Sequence, residues 1–320
     1  MPVPSERLPF GGNYQRVVGI QVTERKVLIL LTMGLLLGSA LPSRAAETAS
    51  RAVRLLSTNR PLVIGHRGYS AVAPENTLPS FSLALAAGVD MVELDYHHSK
   101  EGIPIVIHDA TLDRTTDAKS RWPGSGMRVE DRTVAELSSL DAGKWYAASY
   151  ASARLPKLVE ALDLIQGRGV VTLIERKGGD AKTCVDLLRQ RGGVNEVVVQ
   201  SFDWDYLRQF HALEPTQILG ALGPAASRDG KKLSEADKAL NATWIAEIKT
   251  TGARVVGWNR QVSHESVQLA HEAGLKVLIY TINEPALANS LLDMGVDGLI
   301  SDNPALIWKT LALRGVSVAR

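Results

Sequence analysis

From residue 61 onward the chain alternates two kinds of apolar pattern. Short β-branched and aliphatic runs stand between longer stretches of helical periodicity, an alternation that predicts strand, crossover and strand units around a parallel sheet. The strand-like runs are 61–66, 89–95, 103–108, 170–175, 196–201, 217–222, 254–258, 276–281 and 298–301. The clearest helices are 78–87 behind the cap signal Asn76-Thr77, 181–191 before Gly192-Gly193, 264–272 before Gly274, and 285–294 before Gly295. Polar caps in front and glycines behind are the expected punctuation. Nine runs are one too many for an eight-stranded barrel. Only the seven residues 96–102 separate the second run from the third, fewer than the roughly one dozen that a helical crossover needs. One run is therefore irregular or joined by an extended return. Residues 111–156 lack strand character and carry Pro123, Gly124, Gly126 and Gly143. They read as a long excursion beyond a strand end, where function usually resides.

The beginning of the chain has a different character. An almost unbroken apolar run, 27–42, follows Arg25-Lys26 and precedes Ser43-Arg44-Ala45, with small residues at both positions that a signal peptidase inspects. Residues 1–45 therefore read as a secretory signal peptide, which implies a periplasmic or secreted protein. The run is shorter than the ~20 residues of a membrane-spanning helix, so no stable membrane anchor is expected and tethering by an uncleaved leader is the alternative. The part before Arg25, with Pro2, Pro4, Pro9 and Gly11-Gly12, is long for such a leader and makes Val22 an alternative initiator. Residues 46–320 fit one α/β barrel, which takes roughly 250 residues.

Charge narrows the partners. Of 36 basic and 34 acidic residues, five and two respectively fall within 1–45, so the remainder is close to neutral. No clustered basic face of the kind a nucleic-acid partner requires is visible. The one cysteine, Cys184, cannot form an internal disulfide, and its apolar helical neighbours Val185, Leu187 and Leu188 assign it to packing.

Ionisable residues gather where strands end. His66 and Arg67 close the first run, Glu93 and Asp95 the second, His108 and Asp109 the third, and Glu175 the fourth, with Lys177 two beyond. In a parallel barrel the C-terminal strand ends share one rim, so residues remote in sequence meet there. Glu93 and Asp95, two apart on a strand, face the same way, and Glu175 converges from another strand. Three carboxylates brought together repel unless a cation sits among them, and oxygen-only ligation suits a divalent Mg²⁺ or Ca²⁺ rather than zinc. His66 and His108 suit proton transfer near neutral pH. Arg67 and Lys177 complement an anionic phosphate. His97 shares the face of Glu93 and Asp95, although an extra ligand is the rarer outcome. His264 and His271, among polar neighbours at helical spacing, read as a solvated helix face. Trp145 and Tyr146 either cover substrate or form the local core of the excursion.

These residues lie in motifs that, taken together and in order, closely resemble the glycerophosphodiester phosphodiesterase family. They are His66-Arg67-Gly68, Pro74-Glu75-Asn76-Thr77, Glu93-Leu94-Asp95, Lys100-Glu101-Gly102, and Ile107-His108-Asp109 through Leu112-Asp113-Arg114-Thr115-Thr116. Further along come Leu140-Asp141-Ala142-Gly143, Leu155-Pro156, Glu175 with Lys177, Gln200-Ser201-Phe202, Tyr280-Thr281-Ile282-Asn283, Gly295-Val296-Asp297-Gly298 and Ser301-Asp302-Asn303-Pro304. The resemblance spans about 61–308. It implies a TIM-like (β/α)8 barrel of the phospholipase-C-like phosphodiesterase type, with the insertion 111–156 over the substrate. It also implies a divalent metal on Glu93, Asp95 and Glu175, acid/base histidines His66 and His108, and a phosphate facing Arg67 and Lys177. Glu75, Asn76 and Asp109 would support the site. The implied substrate is a small glycerophosphodiester, cleaved to glycerol 3-phosphate and an alcohol. Lysophospholipase D or sphingomyelinase D-like activity is the second enzyme reading, and a non-catalytic phosphate-ester-binding barrel is the reading from another class. Tyr280, Arg176 and the pair His97-His98 depart from the family's usual residues, which bears on the alcohol accepted more than on the reaction.

Overall fold

Alternation along each strand decides the architecture. In the computed structural model, which describes residues 50–316 apart from 226, 229 and 230, the strands are β1 (Leu62–Gly65), β2 (Met91–His98), β3 (Pro104–Val106), β4 (Val171–Arg176), β5 (Val197–Ser201), β6 (Ile218–Leu222), β7 (Ser227–Arg228), β8 (Lys231–Lys232), β9 (Val255–Trp258), β10 (Lys276–Ile279) and β11 (Gly298–Ser301). The expected leader, 1–45, lies outside the described residues. The described residues lie in one compact unit, and no described helix is long and apolar enough to cross a membrane.

Eight strands pair in parallel in the order β1-β2-β4-β5-β6-β9-β10-β11, and β11 pairs back with β1, which closes the TIM-like barrel. Leu62, Ile64, Met91, Val171, Leu173, Val198, Ile218, Val255, Leu278 and Ile300 fill the interior, while Val63, Val92, Leu94, Ile174 and Val199 point outward beneath the helices. The helix Arg51–Leu56 adds Ala52 and Leu56 to the interior cluster. The helices expected from the sequence form at Leu78–Ala86, Ala181–Gln190, His264–Glu272 and Pro285–Asp293. Thr77, Asp180 and Ser263 cap the first three through their side chains. Four more complete the outer ring, Leu158–Gln166, Trp204–Leu213, Ala242–Lys249 and Pro304–Leu313.

The surplus run, 103–108, is the extended return. β2 runs on past Asp95 to His98, and β3 folds back antiparallel on it, pairing Tyr96 with Val106, His97 with Ile105 and His98 with Pro104. The expectation that His108 ends a strand parallel to the others is therefore corrected. It approaches the rim from above, where the Ile107 amide donates to the Asp95 carbonyl at 3.0 Å. The insertion follows β3 and has its own small core, built on Ile105, Ile107, Leu112, Met127, Val129, Leu137, Leu140 and Leu155. It is pinned to the loop after β1 by the Tyr146 and Tyr150 hydroxyls, which donate to the Ala71 and Val72 carbonyls at 2.7 and 2.9 Å. Trp145 donates its indole N–H to the Ala142 carbonyl and meets Tyr146 edge to face, but it is 41% exposed and neither ring belongs to the insertion's core. Cys184 is fully buried, as its neighbours implied.

The interior layers carry the fold's stability. Leu173 is fully buried in the barrel, so Leu173→Ala is expected to cost about 2–5 kcal/mol in urea unfolding; a cost under about 1 kcal/mol would contradict a close-packed interior.

Candidate active site

Inward positions change from apolar to acidic on going up the barrel. On β2 the inward series is Met91, Glu93, Asp95, and on β4 it is Val171, Leu173, Glu175. The register pairs Asp95 with Glu175 and Glu93 with Leu173 one inward position below, so period two delivers three carboxylates to adjoining positions at the top of the interior. Glu93 and Asp95 are 1% exposed and Glu175 8%. One ligand oxygen from each lies within 4.8 Å of the others. Glu93 Oε1 is buried without a hydrogen-bond partner, and Asp95 Oδ1 and Glu175 Oε1 are buried with a single ammonium, Lys177 Nζ, set against both. Such atoms are costly unless something satisfies them, and an all-oxygen trio is the donor set of a hard divalent ion. The residues therefore fit the group that the sequence implied.

Their electrostatics follow from the crowding. Burial, then Asp95 and Glu175, push Glu93 well above the usual carboxylate range. Burial and Asp95 likewise lift Glu175 to about 7 against the pull of Lys177. Burial pushes Asp95 up too, but Lys177, Arg67, His108 and the Asn76 hydrogen bond outweigh it and hold this carboxyl below its usual value. Lys177 Nζ is in ion-pair contact with Glu175 and lies 3.5 Å from Asp95. In this geometry its charge is directed at two of the three acids. Asn76 donates its amide to Asp95 Oδ2 at 2.8 Å and accepts the Asp95 amide at 3.2 Å.

The loop after β1 supplies the next layer. Arg67 adopts a left-handed backbone (φ 52°), a conformation that costs about 1–3 kcal/mol and clusters at functional sites. Its amide donates to Glu93 Oε2 at 2.8 Å, and its guanidinium donates to Glu75 at 2.8 Å. Gly68, at φ 89°, packs so closely that a Cβ would sit 2.3 Å from Ser80 Oγ.

Each histidine is clamped by an aspartate. His66 Nδ1 lies 2.6 Å from Asp302 Oδ1, and His108 Nδ1 lies 2.7 Å from Asp109 Oδ1. Asp302, itself bound by Ser70 and Asn283, is held down to about 2: burial works against this, and the His66 contact outweighs it. Arg114 and His108 hold Asp109 well below the usual range. Both acids are thus carboxylates that accept from Nδ1–H, which leaves each Nε2 for other work. Burial, reinforced by the Arg67 and Lys177 charges, keeps His108 below the ordinary imidazole value despite Asp95 and Asp109. Both rings line a cavity with Arg67, Glu93, Glu175 and Lys177, whose other wall includes Phe202, Leu222 and Tyr280.

All ten residues singled out in the sequence lie in this cavity or contact a residue that lines it. His97 does not join the acids, because its Nε2 faces the His108 carbonyl at 3.1 Å. His264 and His271 are exposed, the latter paired with Asp297 at 2.7 Å. Sequence reasoning did not assign roles to Asp302, Asn283 or Arg114. Asp302 obeys the same strand-end rule, since it follows β11 and the register aligns Gly65 with Ser301. Arg114 had no such signal beyond its place in a motif.

Comparison with known proteins extends this geometry. The glycerophosphoryl diester phosphodiesterase family matches residues 66–306. A Bacillus subtilis protein named glycerophosphodiester phosphodiesterase is 32% identical over 305 residues, covering 88% of this chain and 96% of that one. The structure of an Oleispira antarctica phosphodiesterase in complex with the product sn-glycerol-3-phosphate is 30% identical, with a TM-score of 0.68 over 79% of this chain and 97% of that one. A glycerophosphodiester phosphodiesterase structure from Agrobacterium tumefaciens is 26% identical, with a TM-score of 0.64 over 77% of this chain and 98% of that one. With its closed barrel, its rim of acids and histidines, and a family match across most of its length, the chain belongs to the glycerophosphoryl diester phosphodiesterase family of phosphoric diester hydrolases.

Proposed function

We propose that the protein hydrolyses small glycerophosphodiesters to glycerol 3-phosphate and an alcohol, using a divalent ion on Glu93, Asp95 and Glu175 and the acid/base pair His66 and His108. The observation that carries this reading is the cluster of three buried carboxylates with one oxygen from each within 4.8 Å of the others, flanked by two histidines that are each fixed through Nδ1. A bound divalent ion supplies positive charge against the phosphate oxygens as negative charge builds in the transition state. Arg67, braced by Glu75, adds a second positive group against the same anion. One imidazole accepts at Nε2 a proton from the attacking water, or from the glycerol hydroxyl that closes a cyclic phosphate which water then opens, and the other gives a proton to the departing alcohol oxygen. Asp109 and Asp302 hold the tautomers that make this exchange available. We propose further that residues 1–45 export the protein, a reading that N-terminal sequencing of the mature chain checks.

Substrate and metal are tested together. Glycerophosphocholine and glycerophosphoethanolamine should release glycerol 3-phosphate, EDTA should stop the release, and Mg²⁺ or Ca²⁺ should restore it. Turnover confined to lysolipids would favour the lysophospholipase D reading, and phosphate-ester binding without turnover the non-catalytic one.

Histidine roles separate by single substitutions. His66→Ala and His108→Ala should each lower kcat by at least ~100-fold, while the affinity for glycerol 3-phosphate in calorimetry changes only a few-fold. Persistent hydrolysis by either variant would sink the acid/base assignment.

The metal also leaves a signature in stability. Without an ion, the raised Glu93 and Glu175 carboxyls bind protons in the folded chain that they release on unfolding, so stability is lost as pH rises from about 4.5 towards 7. Asp95, shifted the other way, contributes stability that is present above about pH 4 and lost only as pH falls below it. Thermal melts in EDTA should therefore show a Tm that falls between pH 5 and pH 8. Saturating divalent ion should reverse the fall, stabilising by about 2.7 kcal/mol at one hundred times its Kd. A Tm indifferent to the ion at pH 8 would argue that the trio holds no metal.

A further inference from the structure

Arg114 belongs to the insertion, yet its guanidinium lies between two carboxylates of the site. Nε and Nη2 donate to Asp109 Oδ2 and Oδ1 at 2.7 and 2.9 Å, and Nη1 and Nη2 donate to Glu75 Oε2 and Oε1, both at 2.8 Å. Each of those acids is one contact from a group that the reaction uses. Asp109 Oδ1 meets His108 Nδ1 at 2.7 Å, and Glu75 Oε1 accepts from Arg67 at 2.8 Å. The chain of contacts thus runs His108, Asp109, Arg114, Glu75, Arg67.

From this geometry we infer that Arg114 is a positioning residue, which sets His108 and Arg67 at once by holding their two carboxylate partners in register. The inference rests on the reaction proposed above for its kinetic consequence, but not for its geometric one. The planar fork matches two carboxylates bidentately, which a lysine ammonium, a single point charge, cannot do. Remove it and Asp109 and Glu75 lose the cation they share; each is then free to rotate, carrying the imidazole and the Arg67 guanidinium with it. The backbone that presents Arg114 is firmly seated, because Leu112 is fully buried, Thr115 and Thr116 are buried, and Thr116 donates its hydroxyl to the Leu112 carbonyl at 2.6 Å. The Arg114 side chain is itself 44% exposed. Ion pairs as accessible as this add little to global stability, so the consequence of losing it falls on the arrangement of the site.

Two variants and one control test this. Arg114→Ala and Arg114→Lys are compared with Arg121→Ala, which removes another exposed insertion arginine, one paired to the half-buried Asp117 away from the site. Both Arg114 variants should lower kcat for a glycerophosphodiester by about 10- to 100-fold, the range found when a group supporting a site residue is removed. Added guanidinium should restore part of the activity of Arg114→Ala, and Arg121→Ala should match the wild type. Independently of turnover, histidine ring ¹⁵N–¹H spectra should show the hydrogen-bonded Nδ1–H of His108 shifted or lost in both Arg114 variants and intact in the control. Unchanged kcat and an unchanged His108 signal would overturn the inference, as would a loss that tracks unfolding in both variants without any response to guanidinium. A wild-type chain that turns over no glycerophosphodiester, but whose His108 signal still depends on Arg114, would overturn the reaction and leave the positioning role standing.

Discussion

Three carboxylates at the top of a closed apolar barrel set the terms for everything around them. Glu93, Asp95 and Glu175 are almost wholly withdrawn from water, and like charges so close in a medium of low dielectric cannot all ionise without compensation. The surroundings supply it in part. Lys177 contacts Glu175 and approaches Asp95 Oδ1, Arg67 lies 3.4 Å from Asp95 Oδ2, and Asn76 donates to that same Oδ2. Glu93 Oε1 remains buried without a hydrogen-bond partner, and a single lysine, Lys177, faces both Asp95 Oδ1 and Glu175 Oε1. A site that keeps such acids together is organised for a cation and for the anion that a cation attracts.

The rest of the mouth is arranged in two arms around that layer. One arm comes from the seam between β1 and β11, where Asp302 fixes His66 and the left-handed turn at Arg67 brings a guanidinium over the acids. The other comes from β3 and the insertion, where Asp109 fixes His108. Parallel strands alone could not provide the second arm. It exists because β2 overshoots the rim and β3 returns along it, so that a segment travelling the opposite way places an imidazole near Asp95. The insertion core lies beyond this return, and Arg114 ties it back to both arms.

Much of this was legible in the amino-acid order, because period two is a local property. Residues 93 and 95 must share a face of any strand that contains them, and an acid ending an apolar run must lie at a strand end whatever the strand pairs with. The eight parallel strands, four of the helices and the ten site residues follow from such local rules and from motif order. The short spacing across 96–102 also exposed the surplus strand, although not its direction.

What the order of residues left undecided was who meets whom. That Glu175 stands opposite Asp95, that Asp302 clamps His66 from more than two hundred positions away, and that Arg114 spans Asp109 and Glu75 depend on strand register and loop docking. Register and docking are set by the packing of the whole barrel and of the insertion core, which no window of sequence contains. The same reason separates the histidines, since periodicity placed His97 beside the acids and tertiary packing turned it to the His108 carbonyl instead. Sequence determined which groups reach the rim; the closed fold decided their partners, because hydrogen bonds and charge pairs are short-ranged and only the tertiary structure brings distant strand ends within that range.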